Sequence, residues 1–316
     1  MSRQCILITE FMDSRAVARL AARHEVLYDP SLVDEPARLL AQAPRADALI
    51  VRNRTQVRGE LLAALSRCRV VGRLGVGLDN LDIAACESRG MRVIPATGAN
   101  AQSVAEYVIA AAMLLLRGIC HATPEVAAGR WPRAALSHGR ETGGKTLGIV
   151  GFGDIGRLTA RLATGLGMEV VAWRGRRERN DPLFLQAGVQ ALDLDELLAE
   201  ADVVSLNLPL NAHTRGLIDA GAIGRMKRGA VLVNTARGGI VDEQALADAL
   251  RSGRLGGAAL DVFEAEPLPP SPHFEGCPNL LLTPHVAGVT VESNERVSSL
   301  IAEAVLQALS DLQGAV

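Results

Sequence analysis

The sequence of 316 residues lacks the features that mark membrane, secreted and nucleic-acid-binding proteins. Its longest apolar stretch covers only residues 107–116, whereas a helix needs roughly 20 residues to cross a bilayer. The first residues, MSRQCILITE, contain no long apolar segment followed by a small-residue cleavage site. The formal net charge is −2, so there is neither the basic excess of a nucleic-acid-binding protein nor an acidic block. We therefore expect a globular cytoplasmic protein without a membrane or nucleic-acid partner.

Cysteine is sparse and is never spaced as a metal or redox motif. None of the five cysteines forms a CxxC pair, and the sequence contains no HxxxH motif or cysteine–histidine cluster. We therefore expect no bound metal. An odd, scattered set also argues against a disulfide framework and fits free thiols in a reducing cytosol. The five are Cys5, Cys68, Cys86, Cys120 and Cys277.

Two stretches of the chain alternate short apolar runs with helical patterns, which predicts two α/β domains with parallel sheets. The first stretch ends near residue 98, and its strand-like runs are QCILI, HEVLYD, DALIVR, RVVGRLG and MRVIPA. The alternation starts again at Lys145 and continues to about residue 286. Residues 292–312 then have the spacing of a closing helix.

The segment between the two stretches is of a different kind. Residues 100–118, NAQSVAEYVIAAAMLLLRG, predict one long helix that is apolar nearly all round. Such a helix should be buried, either between domains or against a second subunit. Residues 121–141 are polar, interrupted by glycine and proline, and lack clear periodicity. We expect them to form an arm or loop over a neighbouring surface.

The string GFGDIG at residues 151–156 has the context of a phosphate-binding turn, because it follows the strand-like run TLGIV and opens a helical pattern. In such a turn Gly151 permits the tight bend, and Gly153 lets the backbone approach a pyrophosphate. Gly156 lets the helix pack close to the sheet. The helix N-terminus supplies amide donors and a partial positive charge. The alternative is a glycine-rich loop without a ligand.

Arg174 ends the next strand-like run, at the position where a carboxylate normally binds the adenosine ribose of NAD. An arginine there would instead pair with the 2′-phosphate of NADP and stack on adenine. Arg176 and Arg177 add donors on the same loop. We therefore expect NADP to be preferred, with NAD as the alternative if the loop is only a solvated basic surface.

Three side chains suited to carbonyl reduction follow later strand-like runs. Arg237 lies in VNTARGGIVDE, Glu266 in DVFEAEPLP and His285 in LLLTPHVAG. Arginine can hold a substrate carboxylate and polarise the adjacent carbonyl, and histidine can donate a proton to the developing alkoxide. A nearby glutamate would orient the imidazole. Because ligands bind beyond the carboxyl ends of parallel strands, we expect the three to converge there.

Taken together, these motifs resemble the D-isomer-specific 2-hydroxyacid dehydrogenase family over essentially the whole chain. The motifs are GFGDIG, VNTARGGIVDE, ALDVFEAEPLP and LLTPHVAG, with GRLGVGLDNLD in the first domain. The resemblance implies an NAD(P)-dependent 2-hydroxyacid dehydrogenase with Arg237, Glu266 and His285 as the catalytic trio. It also implies that the amides of Val76 and Gly77 hold the substrate carboxylate. The departure is Arg174, where NAD-using members carry an acid.

The resemblance further implies the fold and the remaining cofactor contacts. Residues 1–98 and 287–316 would form a flavodoxin-like substrate domain, into which a Rossmann nucleotide-binding domain, residues 99–286, is inserted. Both would be doubly wound parallel-sheet domains. A homodimer would form through the 100–118 helix and the 121–141 arm. Asp261 would bind the nicotinamide carboxamide, and further cofactor contacts would come from Asp154, Ile155, Pro209, Thr235, Ala236 and Gly288.

The loop LIVRNRTQV, residues 49–57, bears on the substrate because it resembles the loop that phosphoglycerate dehydrogenases use near the substrate phosphate. Arg52 and Arg54 share parity and so should share one face of an extended loop. Two arginines indicate a three-carbon 2-oxo acid with a second anionic or polar group. Sulfopyruvate, hydroxypyruvate, glyoxylate and phosphohydroxypyruvate are the candidates. Because the chain ends soon after His285, we expect no appended regulatory domain and no amino-acid feedback, which favours a sulfolactate dehydrogenase or a hydroxypyruvate/glyoxylate reductase.

Two other functions share this fold. A dinucleotide-sensing transcriptional co-regulator would need a peptide-binding groove, and nothing in the sequence indicates one. A formate-type dehydrogenase would pair its histidine with an amide, where this sequence has Glu266.

Overall fold

A computed structural model describes residues 3–120 and 122–314. The chain divides into two compact units. The first contains the residues up to Asn100 and those from Val289 onward, and the second is Ala101–Gly288. Each boundary lies two residues beyond the position expected from the sequence. The predicted class, two parallel-sheet α/β domains, is confirmed.

The first unit is built on a five-stranded parallel sheet with the order β2-β1-β3-β4-β5. This order reverses direction at β1, as in flavodoxin-like sheets. Helices cover both faces of the sheet. The strands are β1 Cys5–Ile8, β2 Glu25–Tyr28, β3 Ala48–Val51, β4 Val70–Arg73 and β5 Arg92–Pro95. The helices are α1 Ser14–Ala21, α2 Pro36–Gln42, α3 Gly59–Ala64, α4 Ile83–Ser88 and, at the end of the chain, α13 Val291–Gly314, with 3₁₀ turns at Leu32–Asp34 and Ala43–Arg45.

The strands of this sheet are apolar on both faces because each face has its own core. Ile6 and Ile8 pack into a cluster with α1 and α13, whereas Leu7 packs into the opposite cluster with α2 and α3. Helix α13 lies so close to β4 that a Cβ atom on Gly72 would come within 2.8 Å of Ile301 Cγ2. The last helix of the chain is therefore an integral part of the unit formed by the first hundred residues.

The second unit is built on a seven-stranded parallel sheet with the order β12-β11-β10-β9-β6-β7-β8. Successive strands run outward from β6 in one direction and then from β9 in the other, so the switch point lies between β6 and β9. The strands are β6 Thr146–Val150, β7 Glu169–Trp173, β8 Gln190–Leu192, β9 Val203–Leu206, β10 Val231–Asn234, β11 Gly257–Leu260 and β12 Leu280–Leu282. The helices are α5 Ala101–Arg117, α6 Ala122–Ala127, α7 Arg133–Leu136, α8 Asp154–Gly165, α9 Pro182–Ala187, α10 Leu194–Glu200, α11 Ala220–Arg225 and α12 Glu243–Arg251, with a 3₁₀ turn at Pro272–Phe274.

One side of the long helix α5 is buried within its own unit. Val108, Ala111, Ala112 and Leu115 pack against the sheet and α8, which explains part of the apolar composition. The prediction of an irregular arm or loop at residues 121–141 is wrong in one respect, because the short helices α6 and α7 lie within this segment. His121 itself lies outside the described residues. No helix in the described part of the chain is long and apolar enough to cross a membrane.

Candidate active site

The glycine turn between β6 and α8 has the geometry that a pyrophosphate needs. Gly151 has φ +106°, and a Cβ atom there would lie 2.4 Å from the Asn207 carbonyl oxygen. A Cβ atom on Gly156 would lie 2.3 Å from the Gly151 carbonyl oxygen. Gly153, in contrast, faces open space and is the N-cap of α8, where it has no side chain to cap the first-turn amides. The main-chain N–H groups of this first turn, among them those of Asp154 and Ile155, are therefore available to an anionic ligand.

The strand ends beside this turn carry the other predicted cofactor residues. Thr235 and Ala236 directly follow β10, Pro209 lies in the loop after β9, and Gly288 lies in the loop after β12. The Thr235 hydroxyl is buried and has no hydrogen-bond partner among the described residues. A buried hydroxyl without a partner is costly, which fits a site completed by a bound group. The residues present thus fit a dinucleotide.

Arg174 directly follows β7, as predicted, but its guanidinium group is already paired. Its Nε donates to Asp193 Oδ1 at 2.7 Å, and its Nη1 donates to the Arg177 carbonyl oxygen at 2.9 Å. Asp193 precedes α10 and also accepts from Arg179 at 3.0 Å. Arg177 forms an exposed ion pair with Asp181, and Arg176 lies 3.4 Å from His213 Nε2. Carboxylates therefore neutralise much of this predicted basic cluster.

Glu266 and His285, two of the three residues predicted to be catalytic, are in direct contact. His285 Nδ1 lies 2.6 Å from Glu266 Oε2. Because a carboxylate can only accept, Nδ1 carries the proton and Nε2 is left for the reacting atoms. The other carboxylate oxygen, Oε1, accepts the Phe263 main-chain N–H at 3.0 Å. Both oxygens of Glu266 are thus fixed, which fixes the plane of the imidazole ring.

The charge of Arg237 also reaches Glu266. Burial acts to raise the pKa of the Glu266 carboxyl, but the hydrogen bond and charge of His285 oppose it. The Phe263 amide and the Arg237 guanidinium add to this effect, so the pKa of Glu266 lies below its ordinary value. Arg237 itself is held just beyond β10, where Asn234 Nδ2 donates to its carbonyl oxygen at 3.0 Å. The Glu266 carboxyl is therefore coupled electrostatically to both His285 and Arg237.

Asp261 holds the loop that carries His285. This carboxylate is 1% exposed and accepts the main-chain N–H groups of Val286 and Ala287, each at 2.8 Å. It also accepts the Thr283 hydroxyl at 2.6 Å, and Tyr107 Oη lies 2.6 Å from that hydroxyl. His285 has φ +57°, a left-handed conformation that is unfavourable for a residue other than glycine. The Asp261 clamp stabilises this conformation.

The predicted substrate-binding residues of the first unit differ in their surroundings. Arg52 is partly buried, donates to Asn294 Oδ1 at 2.8 Å and lies 5.9 Å from the centre of the Phe11 ring. Arg54 is exposed and paired with Asp34. The two guanidinium groups thus have different partners, in a loop that bends between them. Val76 and Gly77 lie in the loop after β4, and neither amide donates to another group in the described part of the chain.

The structure adds four residues that the sequence did not indicate: Glu10, Tyr107, Asp193 and Thr283. Each of them makes a contact with a residue that is distant along the chain. Tyr107 and Thr283, for example, are in contact although 176 positions separate them. Only Asp193 had a local signal, since Glu196 three residues later completes a capping box at the start of α10. That signal marks a helix start and says nothing of Arg174. Among the described residues, no group of three or more potential ligands could hold a metal ion.

Comparison with known proteins agrees with this geometry. The family model described as "D-isomer specific 2-hydroxyacid dehydrogenase, NAD binding domain" matches residues 109–287. The (S)-sulfolactate dehydrogenase of Chromohalobacter salexigens is 53% identical over 96% of this chain and 98% of its own length. The D-3-phosphoglycerate dehydrogenase of Mycobacterium leprae is 41% identical over 98% of this chain, which spans 58% of that protein.

Among solved structures, the NADPH-dependent glyoxylate/hydroxypyruvate reductase of Sinorhizobium meliloti, in complex with NADP and malonate, is similar with a TM-score of 0.81. It is 27% identical, and the match covers 98% of this chain and 94% of that one. The chain belongs to the D-isomer specific 2-hydroxyacid dehydrogenase family. It is accordingly an oxidoreductase with an NAD-binding domain that acts on small hydroxy acids.

Proposed function

We propose that this enzyme interconverts a three-carbon 2-oxo acid and 2-hydroxy acid that carry a second anionic group, with sulfopyruvate and sulfolactate as the pair. The observation that carries the chemistry is the 2.6 Å contact between His285 Nδ1 and Glu266 Oε2, beside the charge of Arg237. The same contact argues against a formate-type enzyme, in which an amide takes the place of Glu266. The 53% identity to a sulfolactate dehydrogenase supports the choice of substrate.

The trio acts on the carbonyl group of the substrate. Arg237 holds the carboxylate and polarises the adjacent carbonyl. A nicotinamide cofactor, when bound, would supply the hydride for the carbonyl carbon. His285 Nε2 donates its proton to the oxygen as negative charge develops there. Glu266 keeps the imidazole in place and stabilises its positive charge before the transfer. In the oxidation direction, neutral His285 Nε2 accepts the hydroxyl proton.

The substrate is held by groups of the first unit, residues up to Asn100 and from Val289 onward, which we propose is the substrate domain. The Val76 and Gly77 amides provide donors for the carboxylate shared by all 2-oxo acids. Arg52 provides the cation for the second anionic group, since its guanidinium group donates to the neutral Asn294 amide and lies beside the Phe11 ring. Arg54 is excluded from this role because Asp34 already neutralises it.

The second unit, Ala101–Gly288, is the proposed nucleotide domain. The turn at Gly151–Gly156 would hold the pyrophosphate, and Asp261, with Thr235 beside it, would face the nicotinamide end. We propose that NADPH is favoured over NADH because Arg174 stands where NAD-using enzymes have an acid. The preference should be modest, since a 2′-phosphate must compete with the Asp193 carboxylate for Arg174. The enzyme should therefore use both cofactors.

A substrate panel tests the proposal directly. Steady-state kcat/KM would be measured for sulfopyruvate, phosphohydroxypyruvate, hydroxypyruvate and glyoxylate, each with NADH and with NADPH. We expect sulfopyruvate to give the highest value with either cofactor. If phosphohydroxypyruvate gives the highest kcat/KM, the substrate is reassigned within the same class. If glyoxylate gives the highest kcat/KM, the proposed site for a second anionic group is contradicted. No turnover of any of the four would contradict the proposed function as a whole.

A further inference from the structure

Glu10 is a buried carboxylate that the catalytic mechanism does not use. It lies two residues beyond the end of β1 and is 5% exposed. Its Oε1 accepts the main-chain N–H groups of Arg52 at 2.9 Å and Thr55 at 3.0 Å. Its Oε2 accepts the N–H group of Arg54 at 3.2 Å. All three donors belong to one loop, which follows β3 and carries the proposed anion-binding arginine.

The main-chain carbonyl groups of the same loop also receive hydrogen bonds. Asn80 is buried, and its Nδ2 donates to the carbonyl oxygens of Arg52 at 2.9 Å and Thr55 at 2.7 Å. The hydroxyls of Thr9 and Thr55 lie 2.8 Å apart. The loop between Arg52 and Thr55 has no helical or strand hydrogen bonding of its own. Hydrogen bonds from Glu10 and Asn80 therefore replace the helix or strand hydrogen bonds that would otherwise fix the main chain of this loop.

A carboxylate at this position is more than a packing residue. Placing a carboxylate in a site that is almost closed to water is costly unless its oxygens receive hydrogen bonds, and here they receive three. The next residue, Phe11, covers the Arg52 guanidinium group at 5.9 Å. One dipeptide, Glu10–Phe11, thus fixes the Arg52 main chain and contacts its side chain. Burial lowers the pKa of Arg52, and the charge of Glu10 opposes that shift.

We propose that Glu10 is a positioning residue that sets the enzyme's selectivity for substrates with a second anionic group. By fixing the main chain at Arg52, it fixes where the guanidinium group is presented. This inference rests on the proposed role of Arg52. Glu10 does not touch the substrate, so it should affect binding of the second anion and leave hydride and proton transfer unchanged.

The Glu10→Gln variant isolates this role. Glutamine has one acceptor oxygen and an NH₂ group, so a donor would face one of the loop amides. We expect the KM for sulfopyruvate to rise by about tenfold or more, the fold-change that one charge-assisted hydrogen bond is worth. The kcat with sulfopyruvate, and both parameters with glyoxylate, should stay within about twofold. Glu25→Gln is the matched control, because Glu25 is an exposed carboxylate of the same unit that pairs with Arg45.

The two proposals fail in different ways. If the wild type does not favour sulfopyruvate over glyoxylate, the proposed substrate class is wrong. If the wild type does favour it and Glu10→Gln keeps that selectivity, the role of Glu10 is overturned. Equal losses on both substrates would also overturn it, since they indicate a purely structural residue. Should Glu10→Gln unfold at the assay temperature, Glu10→Asp keeps the charge and shortens the reach, and it must raise the KM for sulfopyruvate while leaving that for glyoxylate within about twofold of wild type.

Discussion

Arg52 and Arg54 are the same residue type, two positions apart, and their surroundings make them chemically different. Arg52 is partly buried against Phe11 and Asn294, neither of which carries a charge, whereas Arg54 is exposed and paired with Asp34. A cation whose hydrogen bond goes to a neutral amide attracts an anionic ligand more strongly than one already in a direct ion pair. Sequence parity cannot distinguish the two, because the loop between them is not an extended strand.

This contrast gives a paired test at the residue level. Arg52→Ala should raise the KM for sulfopyruvate by roughly 10- to 150-fold while changing that for glyoxylate little, since one charge-assisted interaction contributes about 1.5–3 kcal/mol. Arg54→Ala serves as the control and should change either KM less than about threefold. Steady-state kinetics with both acids measures the four values. A larger effect from Arg54 than from Arg52 would reverse the assignment.

His285 carries the proton-transfer step in the proposed mechanism. His285→Ala should lower turnover by about 100-fold or more, the usual worth of a positioned general acid. Nucleotide affinity, measured by fluorescence titration of the reduced cofactor, should change little because no cofactor contact is assigned to this side chain. His24, which lies between α1 and β2 in the first unit, gives a control substitution that should keep normal turnover. Near-normal turnover of His285→Ala would assign the residue a structural role.

The Glu266 carboxyl links the site to stability at low pH. Its pKa is lower in the folded protein than in the unfolded chain, since the contacts of His285 and Arg237 outweigh burial. The resulting stabilisation is fully present above the ordinary pKa of about 4.3 and is lost as the pH falls through the lower, folded value. Thermal midpoints of wild type and Glu266→Gln should therefore differ most near neutral pH and converge in acid. A difference that is independent of pH would contradict this linkage.

At the level of elements, the neighbouring strands β7 and β8 determine what Arg174 can bind. Its position after β7 was predictable from the alternation of strands and helices around GFGDIG. The pairing with Asp193 was not, because Asp193 is 19 residues away and reaches Arg174 only when β8 aligns beside β7. Local sequence shows charges in order along the chain, whereas the sheet decides which of them become neighbours. The sequence therefore indicated the arginines of this cluster but not the carboxylates that pair with them.

Asp193→Asn tests this arrangement without removing the helix cap, since asparagine and aspartate are equally good N-cap residues. Loss of the carboxylate should free Arg174 and raise the ratio of kcat/KM for NADPH to that for NADH by about three- to tenfold. Asp195→Asn, on the same helix, is the control because Asp195 pairs with Arg225 instead. Arg174→Asp should shift the ratio in the opposite direction. If neither variant at this pair changes the ratio, the preference is set elsewhere.

On the scale of the whole molecule, the sequence predicts both parallel sheets and the order of their elements well, because buried parallel strands are continuous apolar runs that are easily seen. It also predicts that Glu266 and His285, which follow two such runs, come together. Helix α5 was harder to interpret, since an apolar helix can be covered by its own sheet or by another chain. The structure covers one side of it with the sheet and α8 and leaves Met113 and Leu114 about 40% exposed.

This remaining apolar surface is the basis for the proposed homodimer. Beyond α5, Val126 and Trp131 are 43% and 76% exposed, and none of the residues of α6 and α7 is buried. Such a concentration of large exposed apolar side chains in one segment is typical of an interface. We expect sedimentation of the wild type at the mass of a dimer, and of Leu114→Asp/Trp131→Asp at half that mass, because each charge would be buried without a partner. Leu185→Asp is the control, since Leu185 is 64% exposed but lies in α9. A monomeric wild type, or a double variant that still sediments as a dimer, would place any interface outside α5 and the segment that follows it.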